Sequence, residues 1–526
     1  IASLSTLDIG SGEGTTLRAR SVLRPIQGLK GKVLPTPLSP RFSCNNIKKS
    51  CAFSLKVKLK KWRSHIFLNR KAKSMVGVKA IFEPQKVVLI GSGKIQEKVG
   101  MASPQLFKSV IYNMRKFYRG KTYVLDIDGK AGYTKLGELL EVPDLAIIML
   151  PPKQSVEQAE TCAKLSVKAF VMITGGFNDE QRQQLLKIKE KYGTRVLGPN
   201  TIMGIINTSN GLNTTFEKNV MPKKGNIAVI SQSGGVGACL LDWACFYNVG
   251  ISKFAFVGDK IDVDDVDLLR YLGNDRQTKI ICLYIEGVKE GRKFIEEARK
   301  VVKRKPILAL KGGITRESAK RAKLHTTSIT GSDEIFDAAF KKAGIIRVKD
   351  IEELMNAAIA FSKQPPMHGD NVAVVSNVGG PAILAADSVA RNNLKLAALS
   401  EKTIKKIESL YPGVDATNPI DMIADARAER YSQVLELVLA DNNVDGALVI
   451  NMLKSCFFEP EDAEVIKKVA AKYPNKPVVD VPAGGEDFAL VYKVLGDTRI
   501  PLYNLPEKAV KALKFLRIYG KILEKH

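Results

Sequence analysis

The feature that most constrains this chain is a sustained alternation of short apolar runs with helix-length amphipathic stretches. From Lys86 onward, runs rich in β-branched residues recur at 87–90, 122–126, 145–150, 169–173 and 195–197. Each is too short for a buried helix and too uniformly apolar for a half-exposed strand. Such runs separated by helices predict parallel strands with right-handed crossovers, helices covering both faces of the sheet. A second series begins at 226–230 and continues at 280–285 and 306–310. A third begins near Asp370, with strands at 371–375, 446–450 and 476–480. The expected fold class is therefore α/β, with three consecutive parallel-sheet units. In such sheets ligands bind beyond the carboxyl ends of the strands.

The loops at those ends are the first place to look for chemistry. In the first unit they are Gly91-Ser92-Gly93, Leu150-Pro151-Pro152, Thr174-Gly175-Gly176-Phe177 and Gly198-Pro199-Asn200. Glycines let backbone amides face a pyrophosphate, and Lys94 and Lys98 lie close by. Such glycines equally serve to turn the chain. Gln96 holds the third position of a G-x-G-x-x-G fingerprint, which is therefore incomplete. No acidic residue is evidently placed for a ribose, so a dinucleotide-dependent oxidoreductase is set aside.

In the second unit the strand runs into Ser231-Gln232-Ser233-Gly234-Gly235, ahead of a helix expected over 238–247. A Ser/Gly helix start presents free amides and a positive dipole end to an anion. It equally reads as a serine cap. The third unit repeats the pattern at Ser376-Asn377-Val378-Gly379-Gly380. Glu286 ends one strand of the second unit, a position shared by catalytic acids and by ordinary surface charges. His325 is one of four histidines and lies in Leu324-His325-Thr326-Thr327-Ser328-Ile329-Thr330-Gly331. Imidazole can carry a transferable group, and a Thr/Ser/Gly loop can donate to phosphate, although a lone histidine in a polar loop is more often a bystander. His65, His368 and His526 lie in a basic leader, beside a linker and at the last position.

Composition matters at three points. Roughly half of the net charge of +27 comes from residues 1–74, where sixteen Lys/Arg face only Asp8 and Glu13. The remainder is moderately basic, which suits anionic substrates, and no aromatic-interleaved basic stripe points to nucleic acid. The leader, taken as 1–77, reads as a dispensable or non-native tail ahead of Met75, or as an organelle transit peptide. Seven cysteines without a C-x-x-C pair imply reduced thiols and no metal site. No apolar run reaches the ~18 residues needed to span a membrane.

Over residues 78–526 the chain resembles one family, the α subunit of ADP-forming acyl-CoA (acetyl-CoA) synthetases, relatives of the succinyl-CoA synthetase α subunit. The resemblance rests on ordered motifs: residues 225–234 (GNIAVISQSG), 257–264 (VGDKIDVD), 284–287 (YIEG), 310–313 (LKGG), His325-Thr326 with 331–334 (GSDE), and 418–421 (NPID). It implies a Rossmann-like CoA-binding domain over 78–216 followed by flavodoxin-like domains over 222–364 and 369–526. It implies that His325 is the phosphorylated residue, held and tuned by Glu286, and that Ser231, Gln232, Ser233, Gly234 and Gly235 face phosphate. It maps coenzyme A to Gly91, Ser92, Gly93, Lys98, Val99, Pro151, Pro152, Thr174, Gly175, Gly176, Phe177, Asn200 and Thr201. Departures are Thr327 for a usual Gly, Asp259 for a usual Asn, an atypical loop at 91–100 and one extra residue within 198–204.

The implied reaction converts acyl-CoA, ADP and phosphate to acid, CoA and ATP through an acyl phosphate and a phosphohistidine. No ATP-grasp region follows the third unit, so ATP/ADP and Mg²⁺ are expected on a separate ATP-grasp β subunit in an α2β2 assembly. The expected location is the cytoplasm, or an organelle matrix if the leader is a transit peptide. The alternative from another class is a non-catalytic CoA-binding regulatory protein or part of a lysine acetyltransferase system.

Overall fold

The computed structural model describes residues 75–94, 101–129, 132–325, 332–455 and 457–525, with backbone only for 321–325. The first sheet contains β1 (Lys86–Gly91), β2 (Lys121–Asp126), β3 (Leu145–Ile148), β4 (Ala169–Met172) and β5 (Arg195–Leu197). Its order is β2-β1-β3-β4-β5, all parallel. β3 and β4 are buried along their whole length, as the continuous apolar runs require of strands covered on both faces. Local signals set the crossover helices. Ser103 caps the helix Pro104–Phe117, which carries proline in its first turn. Asn178 and Gln181 form a capping box for Asp179–Tyr192, and Gly193 ends it at φ 76°.

The second sheet holds β6 (Ile205–Asn207), β7 (Leu212–Asn213), β8 (Lys224–Ser231), β9 (Ile251–Phe256), β10 (Ile280–Ile285), β11 (Ile307–Lys311) and β12 (Ile346–Val348). Its order is β12-β11-β10-β8-β9-β6-β7, with β6 and β7 antiparallel at one edge. The third sheet holds β13 (Asn371–Ser376), β14 (Lys395–Leu396), β15 (Ile420–Asp421), β16 (Gly446–Asn451) and β17 (Val478–Pro482). Its order is β14-β13-β16-β17, with β15 also paired to β13. The last helix, Pro506–Glu524, packs on Ile351–Lys363 and Gly379–Arg391 and so joins the second and third units.

Two features position the site. In each unit the first strand has later strands on both sides, which creates a switch point at its carboxyl end. In the second sheet that point lies between β8 and β10, where Tyr284 pairs with Ser231. The first and second units are also stitched together directly. Beyond β9, the amides of Asp259, Ile261 and Val263 donate to the carbonyls of Pro199, Gly198 and Val196 at 2.9, 3.1 and 3.0 Å. This stretch continues the edge of the first sheet past β5. Gly258 makes the approach possible: a Cβ there would stand 2.1 Å from the Pro199 carbonyl oxygen, and its φ is +55°. Among the described residues no helix is long and apolar enough to cross a membrane.

Candidate functional site

At the switch point of the second sheet, β8 delivers Ser231 and Gln232 beside the end of β10. Ser231 Oγ donates to the Ser233 carbonyl at 2.7 Å and tightens the turn. Ser233, extended at φ −104°, accepts from the Val236 amide and caps the helix Gly234–Phe246. The helix thus starts at Gly234 rather than at 238, with both glycines in its first turn. A Cβ at Gly235 would meet nothing within 4 Å, and Gly234 and Gly235 both line a cavity. The serine cap expected from the sequence is therefore present.

Gln232 performs a task the sequence did not reveal. Its Oε1 accepts from the amides of Glu286 (2.5 Å) and Gly287 (3.0 Å), while Nε2 donates to the Gly287 carbonyl at 2.7 Å. The turn after β10 is clasped by one side chain. Glu286 is only 8 % exposed. Its Oε1 accepts from Tyr284 O–H at 3.3 Å, and its Oε2 has no partner among the described residues. Burial first, and then the Glu286 charge, push the Tyr284 hydroxyl up to about 12. Burial lowers the Lys311 ammonium, with Arg347 in the same direction and Asp333 and Glu286 opposing. Beyond Lys311 the chain passes Gly312 and Gly313 into the helix Arg316–His325. His325 is its last residue, and the side chain and the loop 326–331 lie outside the described residues.

A cavity of ≈440 Å³ opens over these groups. Gln232, Ser233, Gly234, Gly235 and Glu286 line one end. Met101, Ile202, Met203, Phe216, Ala238 and Phe256 form an apolar wall, and Asn200 with Asp259 contributes the remaining polar rim. The cavity therefore joins the last loop of the first sheet to the Ser/Gly turn of the second.

The first-sheet residues singled out from sequence that are described lie at the carboxyl edge of that sheet, but they do different things. Gly91 is required by packing, since a Cβ would come within 2.3 Å of the Phe107 ring. Ser92 donates to the Asp128 carboxylate, and the Gly93 amide donates to Asp126 Oδ1 at 3.2 Å. Asp126 ends β2, so an acid does stand where a ribose acid would, contrary to the sequence reading. It also accepts from the Asp128 amide and is engaged in holding the loop. Pro151 and Pro152 open the helix Pro152–Lys164. Thr174 and Thr201 are fully buried, their hydroxyls tied to the Leu150 and Met172 carbonyls at 2.6 and 2.7 Å. They shape the loops rather than present donors. Gly175 leaves room for Asn200, whose Oδ1 would lie 2.8 Å from a Cβ there, and Gly176 adopts φ +83°. Phe177 is buried beneath them. Asn200, at φ 65°, holds the Thr174 carbonyl through its own amide and reaches Asp259 at 3.4 Å. Lys98 and Val99 lie outside the described residues.

Comparison with known proteins fits this geometry. Residues 86–207 match the CoA binding domain family, and 224–361 match the succinyl-CoA ligase like flavodoxin domain. The α subunit of ADP-forming acetate–CoA ligase II from Pyrococcus furiosus is 38 % identical over 446 residues, covering 82 % of this chain and 95 % of that protein. The chain belongs to the ADP-forming acetate–CoA ligase α-subunit family. A further family relative, the ADP-forming 4-hydroxybutyrate–CoA ligase of Nitrosopumilus maritimus, is 33 % identical, covering 82 % of this chain and 63 % of that protein. Among solved structures, the dinucleotide-forming acetyl-coenzyme A synthetase 1 of Ca. Korarchaeum cryptofilum, in complex with phosphate and ADP, superposes with a TM-score of 0.78. It is 32 % identical and covers 86 % of this chain and 99 % of that one.

Two site features of this family member escaped the sequence reading. Asp259 was noted only as a departure, yet it bonds Arg182 at 2.8 Å and rims the cavity. Lys260 was quoted only as part of the 257–264 motif and given no role, yet it is buried. Both fall within the 257–264 motif, but their contacts depend on docking between two sheets, which no local pattern marks.

Proposed function

We propose that this chain is the α subunit of an ADP-forming acyl-CoA synthetase, working with a separate ATP-grasp β subunit that holds ADP and Mg²⁺. Coenzyme A binds at the carboxyl edge of the first sheet, near Gly93, Pro152, Gly175, Gly176 and Asn200. The acyl group rests on the apolar wall of the ≈440 Å³ cavity. A phosphate oxygen, held at Gln232–Gly235 by helix-start amides, attacks the thioester carbonyl. The C–S bond breaks and the thiol leaves with a proton. The acyl phosphate then meets the imidazole of His325, which attacks phosphorus as the P–O bond to the carboxylate breaks. The phosphohistidine passes its phosphoryl group to ADP on the partner. Such transfer is mainly positioning and neutralisation of charge.

The observation that carries this reading is the Glu286 carboxylate oxygen, buried and unpartnered among the described residues, in the lining of the cavity together with Ser233, Gly234 and Gly235 of a helix start. A buried acceptor without a donor is costly and calls for an occupant. An imidazole N–H is a suitable one, and it would orient the other ring nitrogen for attack. The test is labelling of the complex by [γ-³²P]ATP with mapping of the acid-labile, base-stable phosphopeptide. Label on the His325 peptide, lost in His325→Ala and His325→Asn while coenzyme A still binds, is expected. Label elsewhere, or label persisting in His325→Ala, refutes the mechanism. Coenzyme A binding with no labelling and no turnover would identify a regulatory binding protein instead.

A further inference from the structure

Lys260 is 1 % exposed, in the left-handed region at φ 51°. Its ammonium donates to Asp265 Oδ2 at 2.7 Å and to the Gly287 carbonyl at 2.8 Å. Its own carbonyl accepts from Lys289 Nζ. Burying a lysine for a single ion pair yields little stability, because desolvation offsets the attraction. Its placement is more telling. The residues on either side, Asp259 and Ile261, donate their amides to Pro199 and Gly198, the loop that carries Asn200. The backbone of Lys260 is therefore fixed to the last loop of the first sheet. Its side chain reaches the turn that bears Glu286.

That turn is held from two sides. Gln232 Nε2 and Lys260 Nζ converge on the same Gly287 carbonyl, at 2.7 and 2.8 Å. Gln232 belongs to the phosphate-facing turn, and Lys260 belongs to the segment docked on the first sheet. A displacement of the loop 198–200 must move Lys260, and through Gly287 it must move Glu286.

We propose that Lys260 is a positioning residue for phosphoryl transfer, a strut that sets Glu286 according to the position of the coenzyme A-side loop. The inference rests on the reading of the site given above. Lys260 touches neither substrate nor the reacting atoms.

The single change Lys260→Met strands Asp265 in the interior, where Oδ1 already has no partner, and can unfold the protein for that reason alone. The informative variant is Lys260→Met/Asp265→Leu, which removes both charges together. Replacing a buried ion pair by apolar side chains is often close to neutral for stability. The variant is assembled with its partner, and calorimetric melting, coenzyme A titration and steady-state turnover are measured. The expected result is melting and coenzyme A affinity near wild type, unchanged KM for coenzyme A, and kcat lower by ~10- to 100-fold, the loss typical of a small misplacement. A merely structural role would move KM and kcat together. Wild-type kcat in the double variant, or a loss of coenzyme A binding in proportion to kcat, overturns the proposal. A wild-type complex without turnover overturns the reading of the site and the strut with it.

Discussion

Replacing Glu286 by Gln should separate stability from activity. In the folded protein the carboxylate has one protein hydrogen bond, from Tyr284 at 3.3 Å, and a bare Oε2 among the described residues. A 3.3 Å O–H···O contact lies beyond the usual range and contributes little, about 1 kcal/mol at most. Against it stands the desolvation of a buried carboxylate, an effective penalty of several kcal/mol, relieved in part by attraction to Lys311. The amide keeps the shape and the Gln232 clasp, which uses backbone groups only. Glu286→Gln is therefore expected to melt at or a few degrees above the wild-type temperature. Turnover should fall by ~10²–10⁴, the range of a positioned acid–base group, which corresponds to about 3–5 kcal/mol of transition-state stabilisation. Calorimetric melting and an ATP-forming assay of the reconstituted complex give the two numbers. A variant destabilised by more than ~2 kcal/mol, well outside the surface-mutation range, with turnover retained would show that Glu286 is structural and sink the argument.

Gly258→Ala should destabilise by about 2–4 kcal/mol, since it adds left-handed strain to a Cβ 2.1 Å from the Pro199 carbonyl oxygen. The urea midpoint at constant m-value checks it, and coenzyme A should bind more weakly because the loop 198–200 is displaced. Asp480 is fully buried, and burial raises its carboxyl from 3.8 to about 7, opposed by the Asn451 amide at 2.6 Å. The folded state then holds a proton that the unfolded state releases, so stability falls as pH rises from about 4 to about 7, by at most about 4 kcal/mol. Asp480→Asn should flatten that slope in a urea series across pH, and an unchanged slope would place the titration elsewhere.

The layer structure was legible because burial on both faces leaves an unmistakable mark. Runs such as 145–150 and 446–450 read as central parallel strands; β3 falls within the first, and β16 covers the second and extends to Asn451. Loop positions followed, since residues at strand ends need only the topology to be brought to one edge. The parts that were not legible depend on distance rather than neighbourhood. Gln232 clasps a turn fifty-five residues away, and Thr174 and Thr201 spend hydroxyls on carbonyls of other strands. Asp126 reads as one more residue of an apolar strand until β1 is laid beside β2 with Gly91 opposite it. The docking of 259–263 on the first sheet rests on backbone hydrogen bonds that leave no mark in the sequence, so neither the burial of Lys260 nor the Arg182 contact of Asp259 was legible there.

The second and third sheets offer an internal control on what the fold alone demands. Ser376 Oγ donates to the Val378 carbonyl at 2.8 Å, matching Ser231 and Ser233. Asn377 accepts from the Met452 amide at 3.0 Å and donates to the Met452 carbonyl at 3.2 Å, matching the Gln232 clasp with a shorter amide. Both clasps sit at the switch point, β8 against β10 and β13 against β16. A serine-tightened turn and an amide bridging to the neighbouring strand end thus recur in the second and third sheets, although the first sheet, with Ser92 bonded to Asp128 and Gly93 next, has neither. Where the second sheet follows its strand with Glu286, the third follows with Met452. The clasp survives without the acid, so packing does not require a carboxylate at that position. Glu286 is thus a buried carboxylate that the clasp does not need, with one oxygen left unpartnered among the described residues, and the mechanism proposed above brings a donor to that oxygen.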